Sequence, residues 1–114
     1  MRELCNISCE AQRNTIKVIK SLKYEYEIQS EFEKNWVMLG GEDNAYPPIC
    51  GAGKNASILH YFANQSELQD NDLILCDMAA MKNGLCSDFT TTFPKSGKFS
   101  VLQKDVYDLV LETQ

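Results

Sequence analysis

The sequence predicts an α+β fold with a mainly antiparallel sheet, and three observations predict it. Apolar residues recur at helical spacing from Glu3 to Leu39. The middle of the chain then breaks into short β-like runs separated by Gly, Pro and Asn. A capped amphipathic segment closes the chain. With 114 residues, 44% of them apolar, there is material for one compact domain but not two. A charged fraction of 24% with Leu, Ile, Val and Phe spread throughout argues against intrinsic disorder.

Taken in order, the first helix is expected from about Glu3 to Leu22, with Leu4, Ile7, Ala11, Val18 and Leu22 along one face. The second runs from about Glu25 to Leu39, with Ile28, Phe32, Trp36 and Leu39 facing the core, and Gly40-Gly41 ends it. Tyr46-Pro47-Pro48-Ile49-Cys50 reads as extended, because proline pushes its predecessor toward the β region. Gly51 to Asn55 reads as a tight loop, Ser57 to Tyr61 as a short strand, and Asn64 to Asn71 as a connection. Two better strands follow, Leu73 to Ala79 and Leu85 to Phe93, joined by Met81-Lys82-Asn83-Gly84. Beyond Pro94-Lys95-Ser96-Gly97, Ser100 and Gln103 have the spacing of a capping box. The helix they open carries Val101, Leu102, Val106, Leu109 and Val110. The order is α-α-β-β-β-β-α, without repeats.

A net charge of −5 lacks the basic footprint of a nucleic-acid binder. The lysines never form the run that a membrane surface attracts, and no apolar stretch is long enough to span a bilayer. No nucleic acid and no membrane are therefore expected as partners. The N-terminus has no signal-peptide core, and five cysteines (Cys5, Cys9, Cys50, Cys76, Cys86) form no CxxC unit. The expectation is reduced thiols acting as small hydrophobes in a cytoplasmic protein. Cys5 and Cys9, one helical turn apart, would supply two thiolates where a tetrahedral zinc site needs four ligands.

The informative feature is a pair of aspartates, Asp77 and Asp88, in the two better strands. A hairpin around the four-residue loop Met81 to Gly84 would oppose them directly, with Cβ atoms about 4.5–5.5 Å apart. A two-residue turn at Asn83-Gly84 would instead make them diagonal neighbours, still on one face. Ile74, Cys76 and Met78 would line the other face of the first strand, and Ser87, Phe89 and Phe93 that of the second. Two bare carboxylates this close repel, so either one holds a proton or a cation sits between them. Divalent metals that favour oxygen ligands are the natural cations. The plainer alternative is an edge hairpin whose aspartates merely face water. His60, the single histidine, could shuttle a proton near neutrality, although a histidine beside Tyr61 can equally be structural.

Several linked segments resemble the Xaa-Pro peptidase family, the prolidases and aminopeptidases P. Ile49-Cys50-Gly51-Ala52-Gly53-Lys54-Asn55-Ala56-Ser57-Ile58-Leu59-His60-Tyr61 resembles the stretch before that family's metal site. Leu75-Cys76-Asp77-Met78-Ala79 and Ser87-Asp88-Phe89-Thr90-Thr91-Thr92-Phe93-Pro94, followed by Gly97-Lys98-Phe99, resemble its first two ligand strands. Ser8 to Arg13 and Tyr26-Glu27-Ile28 resemble its helices, so the likeness runs through nearly the whole chain. Cys76-Asp77-Met78 and Gly97-Lys98-Phe99 point toward prolidase within the family. Ala79 and Thr91 stand where the family usually has glycine and an Arg-type residue.

The resemblance implies the pita-bread fold, two pseudo-symmetric halves around a two-metal centre, with residues 1–114 as the N-terminal half. It implies hydrolysis of the bond before proline in an Xaa-Pro dipeptide or peptide by a metal-bound hydroxide. Mn2+ is the usual metal, with Co2+ or Zn2+ in some members. Asp77 would bind one ion and Asp88 would bridge both. His60 would be catalytic and substrate-binding, and Tyr46 would lie against the substrate. The remaining ligands, a histidine and two glutamates, come from the family's second half, so this chain alone is expected to be inactive. It is also expected to form a homodimer or larger self-associated species through apolar surface the other half would cover. The alternative is a non-catalytic pita-bread-like module that binds a protein partner.

Overall fold

The computed structural model describes Met1–Gln114. Helix α1 (Arg2–Val18) buries Leu4, Ile7 and Ala11, and on the same face three polar residues, Ser8, Gln12 and Thr15. It tightens into a 3-10 turn at Ile19–Ser21. Ile19 is buried and Val18 is exposed, contrary to expectation, because Ile19 continues the i, i+4 row from Ala11 and Thr15. Buried Lys95 donates through Nζ to the Ile19 and Lys20 carbonyls, both at 2.9 Å, placing a cation where helical carbonyls run out of partners. Helix α2 (Glu25–Met38) buries Ile28, Phe32 and Trp36. Leu39 caps it and is partly exposed rather than core-facing, and Gly40 leaves the helix at φ +86°.

Six short strands follow: β1 (Asp43–Asn44), β2 (Ile49–Ala52), β3 (Leu73–Asp77), β4 (Ala80–Lys82), β5 (Leu85–Cys86) and β6 (Thr90–Pro94). They form two antiparallel three-stranded sheets, ordered β1-β4-β5 and β2-β3-β6. The first strand expected from the sequence stops at Asp77, Met81 and Lys82 of the expected loop fall in β4, and the second expected strand is interrupted at Ser87–Phe89.

Register is nevertheless unbroken across the gap, from Leu73 opposite Pro94 to Lys82 opposite Leu85. Asn83 (φ +51°) and Gly84 (φ +73°) make the two-residue turn, since both centres of that turn need positive φ. This corrects the directly opposed register: Asp77 faces Thr90, and Asp88 is its diagonal neighbour. Where the ladder opens, α1 closes it. Gln12 Nε2 donates to the Met78 carbonyl (3.0 Å) and the Phe89 carbonyl (3.1 Å). Ser8 Oγ accepts from Ala80 N at 2.9 Å and shares a hydrogen bond with Ser87 Oγ at 2.7 Å.

The expected strand Ser57 to Tyr61 does not form. A 3-10 turn at Gly53–Ser57 follows β2, and the chain then loops through His60. The cause lies at the outer edge of β2. Cys50 N–H donates to Asn64 Oδ1 and Ala52 N–H to Glu25 Oε1, both at 2.9 Å, so the edge is already satisfied by side chains.

The core lies between the two helices and the covered sheet face, where Ile28, Phe32, Ile74 and Met78 are fully enclosed. Cys50 and Cys76 pair across β2 and β3 inside it. Contact with Cys76, and then burial, hold the Cys50 thiol well above its ordinary range. Helix α3 (Val101–Thr113) starts with the expected box: Ser100 N donates to Gln103 Oε1 (2.9 Å) and Gln103 N to Ser100 Oγ (3.2 Å). Its apolar face buries nothing, however. Val106, Leu109 and Val110 are all more than half exposed, and Gln103 Nε2 ties the helix start to the Asn71 carbonyl at 2.9 Å.

Two glycines test this architecture. A Cβ on Gly84 would meet nothing within 4 Å, so Gly84→Ala should cost only its left-handed backbone, about 1–2 kcal/mol. A Cβ on Gly51 would lie 2.9 Å from Ala56 backbone atoms, so Gly51→Ala should cost more, up to about 3 kcal/mol. Urea midpoints check the order; a larger loss at Gly84 would contradict it.

Candidate active site

Tyr46, His60, Asp77 and Asp88 come from four separate stretches of chain and line one cavity of about 250 Å³, together with Pro47, Ile49 and Phe62. Asp77 ends β3 on the face away from the helices, its neighbours Cys76 and Met78 being buried beneath it. Asp88 lies in the gap between β5 and β6, exposed at the cavity rim. One backbone bond on each side, Met78 N to Phe89 O (3.2 Å) and Ser87 N to Ala80 O (3.3 Å), holds this segment in register, and α1 adds side-chain bonds at Ser87 and Phe89.

Tyr46 lies in the proline-flanked segment between β1 and β2 and reaches both acids. Its hydroxyl donates to Asp77 Oδ1 at 2.5 Å, stands 3.2 Å from Asp88 Oδ1, and accepts from Phe89 N at 3.4 Å. Burial first, and then the Asp77 carboxylate, push the phenol well above its ordinary range, while the Phe89 N–H works the other way. The hydroxyl therefore stays protonated, but one proton cannot serve two carboxylates at once. A cation between the two acids would relieve their mutual repulsion. Two carboxylates and a phenol are hard oxygen donors that suit such a cation. No third His, Cys, Asp or Glu joins them to complete a cluster.

His60 enters from the loop after the 3-10 turn, with φ +53°, and its exposed ring stacks on Phe62. That loop is fixed from below by a residue the sequence reading passed over. Glu25 is fully buried at the start of α2. Its Oε1 accepts from Ala52 N (2.9 Å) and Asn55 Nδ2 (3.0 Å). Its Oε2 accepts from Tyr61 Oη (2.7 Å) and Ser66 N (2.9 Å). Four donors to one buried carboxylate join α2, β2 and both ends of the His60 loop. A glutamate in a first helical turn is ordinary dipole chemistry, so spacing alone offered no signal for this role. The Tyr26-Glu27-Ile28 resemblance came within two residues of it.

Residues 1–114 match metallopeptidase family M24. The chain belongs to that family. Among M24 relatives, the human Xaa-Pro dipeptidase is 38% identical over 118 residues, covering 99% of this chain and 24% of that protein. The Arabidopsis thaliana intermediate cleaving peptidase 55, mitochondrial, is 37% identical over 113 residues, covering 99% of this chain and 23% of its own. The structure of zinc-substituted Escherichia coli aminopeptidase P in complex with product superposes with a TM-score of 0.89 at 33% identity, over 97% of this chain and 25% of that one. The M24 fold expected from the resemblance, pita-bread with an α+β layout, is thus the fold found. The chain spans about a quarter of the length of the curated relatives it matches.

The Glu25 network gives a direct test of how the M24 site loop is held. Glu25→Ala strands four donors, and stability should fall by at least about 2 kcal/mol in urea unfolding. A loss below about 0.5 kcal/mol, the scale of an ordinary surface change, would show that the loop is held by something else.

Proposed function

We propose that residues 1–114 form the N-terminal half of the catalytic domain of an Xaa-Pro metallopeptidase, which hydrolyses the bond before proline. The observation that carries the reading is the convergence of Asp77 and Asp88 on one phenolic oxygen, in a cavity shared with His60. Asp77 and Asp88 would hold the divalent metal, with Mn2+ the favoured ion and Co2+ or Zn2+ alternatives, Asp88 in the bridging role. When bound, such ions would offset the carboxylate repulsion and supply Lewis-acid activation of water. Tyr46 keeps Asp77 oriented and faces the substrate, and His60 contacts the substrate from the same cavity. Of the two family activities, the segments around Cys76-Asp77-Met78 and Gly97-Lys98-Phe99 favour a prolidase. Five unpaired cysteines suit a cytoplasmic setting.

Two carboxylates are too few to hold two ions tightly, so the chain alone should bind Mn2+ weakly and leave Gly-Pro uncleaved. Robust turnover by the purified chain would contradict this. Joined to a second half that supplies a histidine and two glutamates, it should gain activity. Asp88→Asn should then remove more than the roughly 100-fold that changes around a ligand typically cost. Survival of turnover in that variant would refute the bridging role.

The bare face of α3 supports a homodimer or larger self-associated species in the isolated chain. Sedimentation should show mass rising with concentration, and Val106→Lys with Val110→Lys should restore the monomer. A concentration-independent monomer in the unmodified chain would exclude self-association.

A further inference from the structure

Phe62 lies outside every motif that led to the site, yet it stacks on His60 with ring centroids 6.0 Å apart and planes 14° from parallel. No hydrogen bond holds either imidazole nitrogen. The bonds of the surrounding turn run from Ser57 to Lys54, from Asn55 to Tyr61 and from Tyr61 to Glu25, and all bypass the ring. The backbone is turned over at both His60 (φ +53°) and Asn64 (φ +48°), conformations that cost a non-glycine residue energy. Between those two points His60 and Phe62 present their rings side by side into the cavity that holds Asp77 and Asp88. Phe62 is 53% exposed, so its ring adds little to the core.

We propose that Phe62 is a positioning residue: its ring face holds the His60 imidazole toward the two carboxylates. What His60 then does rests on the peptidase reading, but the stack itself does not. Aromatic pairs of this kind bias an orientation by a few-fold to about 12-fold beyond simple burial. With no hydrogen bond to compete, that bias decides where the imidazole points.

The chain has a single histidine, so its ring protons give one unambiguous pair of NMR signals in the 114-residue chain. In the unmodified protein the stacked phenyl ring should displace them upfield. Phe62→Tyr should keep the displacement, whereas Phe62→Leu and Phe62→Ala should lose it, with the stacked population falling roughly 2- to 12-fold. Mn2+ added as a paramagnetic probe should broaden the His60 signals in the unmodified chain and in Phe62→Tyr. Broadening should be weaker in Phe62→Ala, while the backbone amides of Asp77 and Asp88 broaden equally in all three. Identical His60 shifts in Phe62→Ala and the unmodified chain would overturn the proposal. Absence of Mn2+ broadening at Asp77 and Asp88 in every variant would count against the peptidase reading instead, and the upfield displacement alone would then decide the role of Phe62.

Discussion

Two carboxylates that repel one another are held at one phenolic oxygen, and the constraint that holds them is hairpin register. Side chains alternate between faces with a period of two, so a slip of one residue would drive Asp77 into the space occupied by Cys76 and Met78. Burial of Ile74, Cys76, Met78 and Phe93 resists that slip from the core side. The Asn83-Gly84 turn resists it from the hairpin end, because the left-handed pair fits the twist of the flanking strands. Electrostatic strain at the site is thus offset by apolar burial several residues away.

Polar side chains on the helices complete the arrangement. A continuous ladder would keep Asp88 in strict strand geometry beside Thr90. Instead the ladder thins to one backbone bond on each side of Asp88, Met78 N to Phe89 O and Ser87 N to Ala80 O, and the Met78 carbonyl and Ala80 amide left over find Gln12 and Ser8. On the other flank, Glu25 and Asn64 satisfy the free edge of β2. Each of these groups would be costly to bury unpaired. Met78 and Phe89 directly adjoin Asp77 and Asp88 in sequence, so there stability and site geometry share the same hydrogen bonds.

Much of this was legible in the sequence. Helix positions followed from apolar spacing, the third helix from its capping box, and the shared face of Asp77 and Asp88 from strand periodicity alone. The choice between two hairpin registers was not legible from periodicity, since both keep the aspartates on one face; it was settled by backbone preference at Asn83 and Gly84. Ser57 to Tyr61 has strand-like composition, but a strand there would need an edge that Glu25 and Asn64 already occupy. The same limit applies to Ser8 and Gln12, which read as ordinary polar helix residues until the gap they fill is known. The apolar face of α3 was legible as amphipathic, but its exposure depends on what else packs against it, which no local pattern encodes.

The hardest feature to explain without a ligand is the closeness of Asp77 and Asp88. Like charges that share one hydroxyl repel, less so where water screens them as it does at exposed Asp88. Tyr46 relieves one acid at a time, because it has one proton to give. A module whose task was only to bind a protein partner could replace either aspartate by asparagine, keep the hydrogen bond to Tyr46, and lose the repulsion. A positive charge between the two acids would turn that cost into a binding energy. That asymmetry in cost favours a metallopeptidase half over a binding module built on the same fold.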